Sequence, residues 1–127
     1  MIKAKYIAYI CAALTAFFTP IVPDLIFVSV LIIGDFITGV SKAIKKGEVS
    51  SRKMVKKFYD TIGYFTGIIV AAYVQKYFGE QIPIVKATLA IIALTEIQSL
   101  RENILSITGT DVLKPLISVL KKKSEEV

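Results

Sequence analysis

The chain has 127 residues, of which 54% are hydrophobic, and it carries a formal net charge of +6. A soluble domain of this size leaves much of its surface exposed and cannot bury that much apolar surface, so the composition favours a membrane protein. With no histidine and one cysteine, Cys11, the chain excludes an ordinary structural zinc site and an internal disulfide. Its basic residues flank apolar runs instead of covering one folded face, which argues against nucleic-acid binding.

Four apolar segments predict an all-α integral membrane protein with four transmembrane helices. Each segment has close to the ~20 residues that a helix needs to cross a ~30 Å hydrocarbon core. Lipid favours helices because it offers the backbone no hydrogen-bond partners. Lys3 and Lys5 before the first segment also fit a signal peptide, but the residues that follow are too large for a cleavage site, which favours a retained helix. The segments cover about residues 6–22, 25–44, 62–78 and 82–100.

The connections predict that these helices form two antiparallel hairpins in a single membrane domain, residues 1–127. Pro20 and Pro23 bracket a first short turn, and Gly79 and Pro83 bracket a second. The connection over residues 42–57 is longer, with seven basic residues and one acid. Positive charge stays on the cytoplasmic side of a membrane, so this loop and both chain termini are expected in the cytoplasm of a bacterial cell, with the inner membrane as the location.

The basic residues are expected to contact anionic lipid headgroups. Between about residues 111 and 123, apolar residues recur at helical spacing and form an amphipathic stripe. This pattern predicts an interfacial helix, and a frayed solubilising tail is the alternative. The residues expected at the headgroups are Lys42, Lys45, Lys46, Arg52, Lys53, Lys56, Lys57, Lys121, Lys122 and Lys123.

Two acids lie inside apolar segments, Asp35 in the second and Glu96 in the fourth. An acid at the centre of a membrane helix costs on the order of 2.5–3.5 kcal/mol, so each should face protein, water or a cation. Both segments end on the cytoplasmic side, so the two carboxylates are expected at similar depth. Asp35 either pairs with a nearby lysine or makes a polar contact that sets assembly. Without histidine or a nucleophile constellation, helix–helix hydrogen bonding is favoured over catalysis or metal binding, and no cofactor is expected.

Small residues predict close helix packing at two places. Gly34 and Gly39 flank the Asp35 region, and Gly63 and Gly67 form a Gly-x-x-x-Gly pattern in the third segment. Such a pattern lets two helix backbones approach closely, either within the chain or between copies.

Two sequence elements resemble the phage holin family, which includes the phage-lysis and toxin-secretion holins. The first is the run Gly34-Asp35-Phe36-Ile37-Thr38-Gly39 with the basic stretch and Gly47-Glu48-Val49-Ser50-Ser51 after it. The second is Glu96-Ile97-Gln98-Ser99-Leu100-Arg101-Glu102-Asn103, similar to a Glu-x-x-Ser-x-x-Glu-Asn element near the end of the last helix.

The resemblance implies a holin, which is not an enzyme. Holins oligomerise in the host inner membrane and open lesions that release endolysin, and an antiholin is a further possible partner. Two other functions stay open: a membrane scaffold that recruits a partner through its basic face, and a small channel or transporter subunit. The residues expected to determine assembly are Asp35, Thr38, Glu96, Ser99, Glu102 and Asn103.

Overall fold

The computed structural model describes residues 2–126, and Met1 and Val127 lie outside it. The described residues contain helices and no strand, which confirms the predicted all-helical class. A 3-10 turn, Thr19–Ile21, separates the first two helices. The α-helices are α1 (Ile2–Phe18), α2 (Val22–Lys46), α3 (Ser51–Phe78), α4 (Ile84–Thr108) and α5 (Lys114–Glu126).

Helices α2, α3 and α4 form a three-helix bundle in which α2 and α4 run parallel and α3 runs against both. Along α2, Gly34 lies beside Leu100 of α4 and Gly39 lies beside Asn103, so the two helices advance in the same direction. Along α3 the order reverses, because Lys57 bonds Glu96 while Gln75 accepts a hydrogen bond from the backbone of Val85. Both α2 and α4 therefore end at the same end of the bundle.

The bundle has a small apolar core and an apolar outer surface. Val28, Ile32, Ile68 and Ile92 are buried together, with Leu25, Tyr64, Phe65 and Leu89 packed around them. Large apolar side chains also cover the outside, far beyond the patches that a soluble monomer exposes. The large apolar side chains of the bundle that are at least 48% exposed include Ile26, Val30, Ile33, Ile37, Ile62, Val70, Tyr73 and Ile91.

The turn of the first predicted hairpin is absent from this structure, because the chain stays helical where that turn was expected. Pro20 lies in the first turn of the 3-10 helix and Pro23 in the first turn of α2, where proline is tolerated because no intrahelical N–H is needed. Ile21 keeps right-handed helical backbone, with φ −101° and ψ −2°. As a result α1 does not pack along α2, and its side chains from Lys3 to Ala16 are exposed.

One helical run among the described residues, Lys3–Lys46, is long and apolar enough to cross a membrane by length and composition. It has 44 residues and includes nearly all of α1, the 3-10 turn and all of α2. The crossings expected of the third and fourth segments do not pass the same test and stay predictions.

The predicted loop over residues 42–57 is mostly helical. α2 continues to Lys46, where Gly47 takes a left-handed conformation (φ 69°) that ends the helix, and α3 begins at Ser51. Only residues 47–50 connect them. The end of the predicted loop and the third apolar segment are thus one helix. The second predicted turn is present, with Gly79 at φ 104° and its N–H bonded to the carbonyl of Gln75 at 2.8 Å.

Helix α5 is present, but its apolar face is not free for the membrane surface as expected. Ile117 is buried against Ala93 and Ile97 of α4, with further leucines of α2 and α5 around them. At its start, Asp111 accepts bidentate hydrogen bonds from Arg101 of 2.7–3.0 Å. The helix therefore folds back along α4, because a protein surface is available to its apolar stripe.

Candidate functional site

The two carboxylates inside the bundle share one cation. Asp35 is 7% exposed and Glu96 is 2% exposed, on α2 and α4 respectively. The ammonium of Lys57, from α3, bonds Oδ2 of Asp35 and donates to Oε2 of Glu96 at 2.5 Å. The two acids lie at the same level of the bundle, as expected, and Lys57 ties all three helices together.

The remaining oxygen of Asp35 binds two side chains of α4. Ser99 Oγ donates to Oδ1 of Asp35 at 2.7 Å, and Asn103 Nδ2 donates to the same oxygen at 2.9 Å. Asn103 also reaches Thr38 Oγ1 at 3.1 Å, and the Thr38 hydroxyl donates to the carbonyl of Gly34 at 2.8 Å. Asp35 is therefore fully hydrogen-bonded without water.

Helical spacing places these groups in the bundle interior. On α4, Glu96, Ser99 and Asn103 follow one another by three and four residues and share one face. On α3, Lys57, Thr61, Tyr64, Ile68 and Ala71 recur by four and three residues, and this face is the one turned inward. Tyr64 completes the network by donating its hydroxyl to Oε1 of Glu96 at 2.8 Å.

Five of the six residues expected to determine assembly meet in this network, and Glu102 does not. Glu102 is exposed on α4, one residue before the buried Asn103. Asp35 pairs with a lysine and also makes polar contacts with another helix, while its effect on assembly stays a prediction.

Sequence reasoning missed Lys57 and Tyr64. Lys57 was assigned to the lipid headgroups, and Tyr64 was assigned no role. Helical periodicity could have identified both residues, because Lys57 and Tyr64 lie on the same face of α3 as the apolar Ile68 and Ala71.

The glycines divide into two groups. A Cβ added to Gly34 would lie 3.4 Å from Leu100, and one added to Gly39 would lie 3.6 Å from the Asn103 amide, so both permit the close approach of α2 and α4. A Cβ added to Gly63 or Gly67 would meet nothing within 4 Å. Among the described residues, no other helix therefore packs closely on Gly63 and Gly67. Close packing within the chain was one of the two interpretations of the Gly-x-x-x-Gly pattern.

Two of the ten residues expected at lipid headgroups, Lys45 and Lys57, bond to other helices of the bundle instead. Besides Lys57, the Lys45 ammonium donates to the carbonyls of Ser106 and Ile107 at 3.2 and 3.0 Å. A cation suits this place because the carbonyls at the end of α4 carry partial negative charge. The other eight are exposed or partly exposed, and their contact with headgroups stays a prediction.

The polar network can hold helices together, because its hydrogen bonds join side chains of α2, α3 and α4. Among the described residues, every buried side-chain nitrogen and oxygen has a hydrogen-bond partner, and no cluster of three or more potential metal ligands is present. Outside the apolar segments, the bond from Arg101 holds the pKa of Asp111 below its ordinary value and raises that of Arg101.

A charged network inside a helical bundle whose outside is apolar is typical of membrane proteins. The family model described as the bacteriophage holin family matches residues 12–124, and the chain belongs to that family. This confirms the resemblance seen in the sequence. The family is one of membrane proteins in the context of phage lysis and is not an enzyme family. Comparison with curated proteins and with solved structures gives no match.

Proposed function

We propose that this chain is a holin that oligomerises in the bacterial inner membrane and opens lesions through which endolysin, or a secreted toxin, leaves the cell. One observation carries the proposal beyond family membership. The Asp35–Lys57–Glu96 network lies inside the bundle of α2, α3 and α4, while apolar side chains cover the outside. This distribution is stable when lipid surrounds the bundle, because lipid solvates the apolar surface and excludes the charges.

The bundle crosses the bilayer with residues 47–50 and the end of α4 in the cytoplasm. α2 and α4 end together, at the end of the bundle where α3 begins with Arg52 and Lys53. The positive-inside rule assigns this end to the cytoplasm and the 79–83 turn to the outside. The carboxyl terminus then lies inside.

Helix α1 crosses the bilayer beside the bundle, which returns the amino terminus to the cytoplasm. A straight run over Lys3–Lys46 would be about 66 Å long at the helical rise, roughly twice the hydrocarbon thickness. The run must therefore bend for both halves to lie in lipid. The 3-10 turn Thr19–Ile21 contains Pro20 and is followed by Pro23, and helices bend most readily at such prolines.

Lateral assembly uses the open glycine face of α3. Gly63 and Gly67 face away from the chain's own helices, and Val70 on the same helix is 54% exposed. A second copy can approach this face closely, which is how small residues promote association in lipid. The network residues act indirectly by fixing the position of α3 against α2 and α4.

The exposed basic residues hold the cytoplasmic end against anionic lipid. Endolysin is a functional partner that passes through the lesion, so direct binding is not required, and an antiholin is a further candidate partner.

Induced expression of the chain alone in bacteria tests the proposal. We expect an abrupt loss of membrane potential and viability after a period of normal growth. A Gly67→Leu variant, expressed at the same level, should delay that loss because it obstructs assembly. Normal growth at high expression would contradict the proposal and favour a scaffold, and selective, saturable ion flux without lysis would favour a channel or transporter subunit.

A further inference from the structure

A groove opens between the second half of α2 and the start of α3, beside the polar network. Its walls are apolar, with Phe36 and Val40 from α2 and Met54 from α3. Phe36 is 43% exposed and Met54 39% exposed, so the groove is accessible from the side of the bundle. Asp35 and Asn103 form its floor, where Asp35 accepts hydrogen bonds from Asn103 and Lys57, and Asn103 also donates to Thr38.

The end of the groove at residues 47–50 is basic. Lys53 lines it, is exposed, and forms no ion pair with any described residue. Lys57 lies deeper and is committed to two carboxylates. Apart from Asp35, no acid of the described residues lines the groove. Glu48 of the connection is exposed and is not part of the groove wall.

The start of α3 adds to this positive field. Ser50, which also lines the groove, makes no capping hydrogen bond, and the first turn of the helix contains no acid. Instead Arg52 and Lys53 place positive charge where the helix dipole is already positive. An anion at the mouth would relieve that repulsion.

We propose that this groove binds one anionic phospholipid of the cytoplasmic leaflet. The phosphate lies at Lys53 and the start of α3, and an acyl chain follows Phe36, Val40 and Met54 toward the bilayer centre. This rests on the proposed placement of the bundle in the membrane and adds a defined site to it. The groove is complementary to such a lipid. Its apolar channel suits an acyl chain, and the uncompensated positive charge at its end suits a phosphate at headgroup level.

Tryptophan fluorescence tests the site, because the chain has no tryptophan of its own. A Phe36→Trp variant places one fluorophore in the groove, and Met54→Trp provides a second position should the first perturb packing. Each is reconstituted in phosphatidylcholine vesicles with the same mole fraction of brominated phosphatidylglycerol or of brominated phosphatidylcholine, which quench tryptophan on contact. We expect about fivefold preferential occupancy by the anionic lipid, the order that one lysine near the surface provides.

Two matched lysines show whether the preference belongs to the groove. Lys53→Gln, in the Phe36→Trp background, should abolish it. Lys56→Gln should keep it, because Lys56 lies one turn further along α3 and pairs with Asp60 at 2.9 Å. A tryptophan at Val30, on the lipid-facing surface and 61% exposed, should be quenched equally by both lipids.

The outcomes separate the groove from the membrane placement. Equal quenching of the groove tryptophan by both brominated lipids would overturn the lipid site and leave the proposed function standing. A preference that survives Lys53→Gln, or disappears in Lys56→Gln, would also overturn it. Absence of quenching by either lipid, at Phe36 and at Val30 alike, would overturn the membrane placement and with it the proposed function.

Discussion

The ammonium of Lys57 and the carboxylate of Glu96 are joined at 2.5 Å across the interface of α3 and α4. The Lys57 side chain is only 17% exposed and also bonds Asp35, so one cation bonds acids on two other helices. Removing Lys57 is costly, since it leaves two carboxylates without a cation in a poorly solvated place.

Lys57→Met is expected to lower the free energy of unfolding by roughly 3–5 kcal/mol, the usual cost of breaking a buried ion pair from one side. Thermal unfolding in detergent micelles, followed by circular dichroism, measures it. Lys56→Met is the control, because Lys56 and Asp60 form an exposed pair whose removal costs at most ~0.5 kcal/mol. Equal losses for the two variants would show that Lys57 is not buried as described.

Asn103 and its neighbour Glu102 should respond differently to substitution. Asn103→Leu removes hydrogen bonds to Asp35 and Thr38 and should cost on the order of 1–3 kcal/mol, because it leaves a buried acceptor short of a donor. Glu102→Gln should leave stability unchanged, since that side chain is exposed. Chemical denaturation of both variants in the same detergent gives the comparison. A larger effect at Glu102 would place the network on a different face of α4.

The two glycine groups predict opposite phenotypes for the same substitution. Gly34→Leu forces atoms against Leu100 and should destabilise the monomer by about 1–3 kcal/mol through overpacking. Gly67→Leu meets open space, so the monomer should fold while crosslinked oligomers in membranes decrease. Melting temperature and crosslinking yield are measured for both. Unchanged oligomers in Gly67→Leu would remove this face from the assembly interface.

Docking of the start of α5 should weaken in acid. Because Arg101 lowers the pKa of Asp111, their pair stabilises the docked helix at pH values above the ordinary aspartate pKa of about 3.9. That contribution is lost as the pH falls through the lower pKa of the folded state. A Leu120→Trp reporter should show constant emission near neutral pH and a shift toward exposed tryptophan below about pH 4. Asp111→Asn should lack the acid step, and a step that persists in this variant would assign it to another group.

The sequence was sufficient to predict the polar face of α4 and the common level of Asp35 and Glu96. These follow from helical periodicity and from the high cost of an isolated acid in an apolar segment. Lys57 was misplaced because hydropathy reasoning assigns every basic residue near a segment end to the headgroups. Only the packed bundle shows which lysine has two carboxylates within reach.

Two features of the fold depend on competition that a sequence pattern does not resolve. Pro20 and Pro23 fit a loop, but each also fits the first turn of a helix, and the second arrangement occurs. The amphipathic stripe of α5 specifies that its apolar face must be covered. It does not distinguish a membrane surface from α4, where Ile117 packs on Ala93 and Ile97.

Cysteine accessibility across the membrane is the most direct test of whether the bundle lies in lipid. In a Cys11→Ser background, Glu48→Cys at the basic end and Glu80→Cys at the opposite turn are treated with a membrane-impermeant maleimide in intact spheroplasts and in inverted vesicles, both prepared before lesions open and while the membrane still excludes the reagent. Because α3 separates the two positions, Glu80→Cys should react only in spheroplasts and Glu48→Cys only in inverted vesicles. Reaction of both from the same side, or recovery of the protein in the soluble fraction, would contradict a bundle that crosses the bilayer.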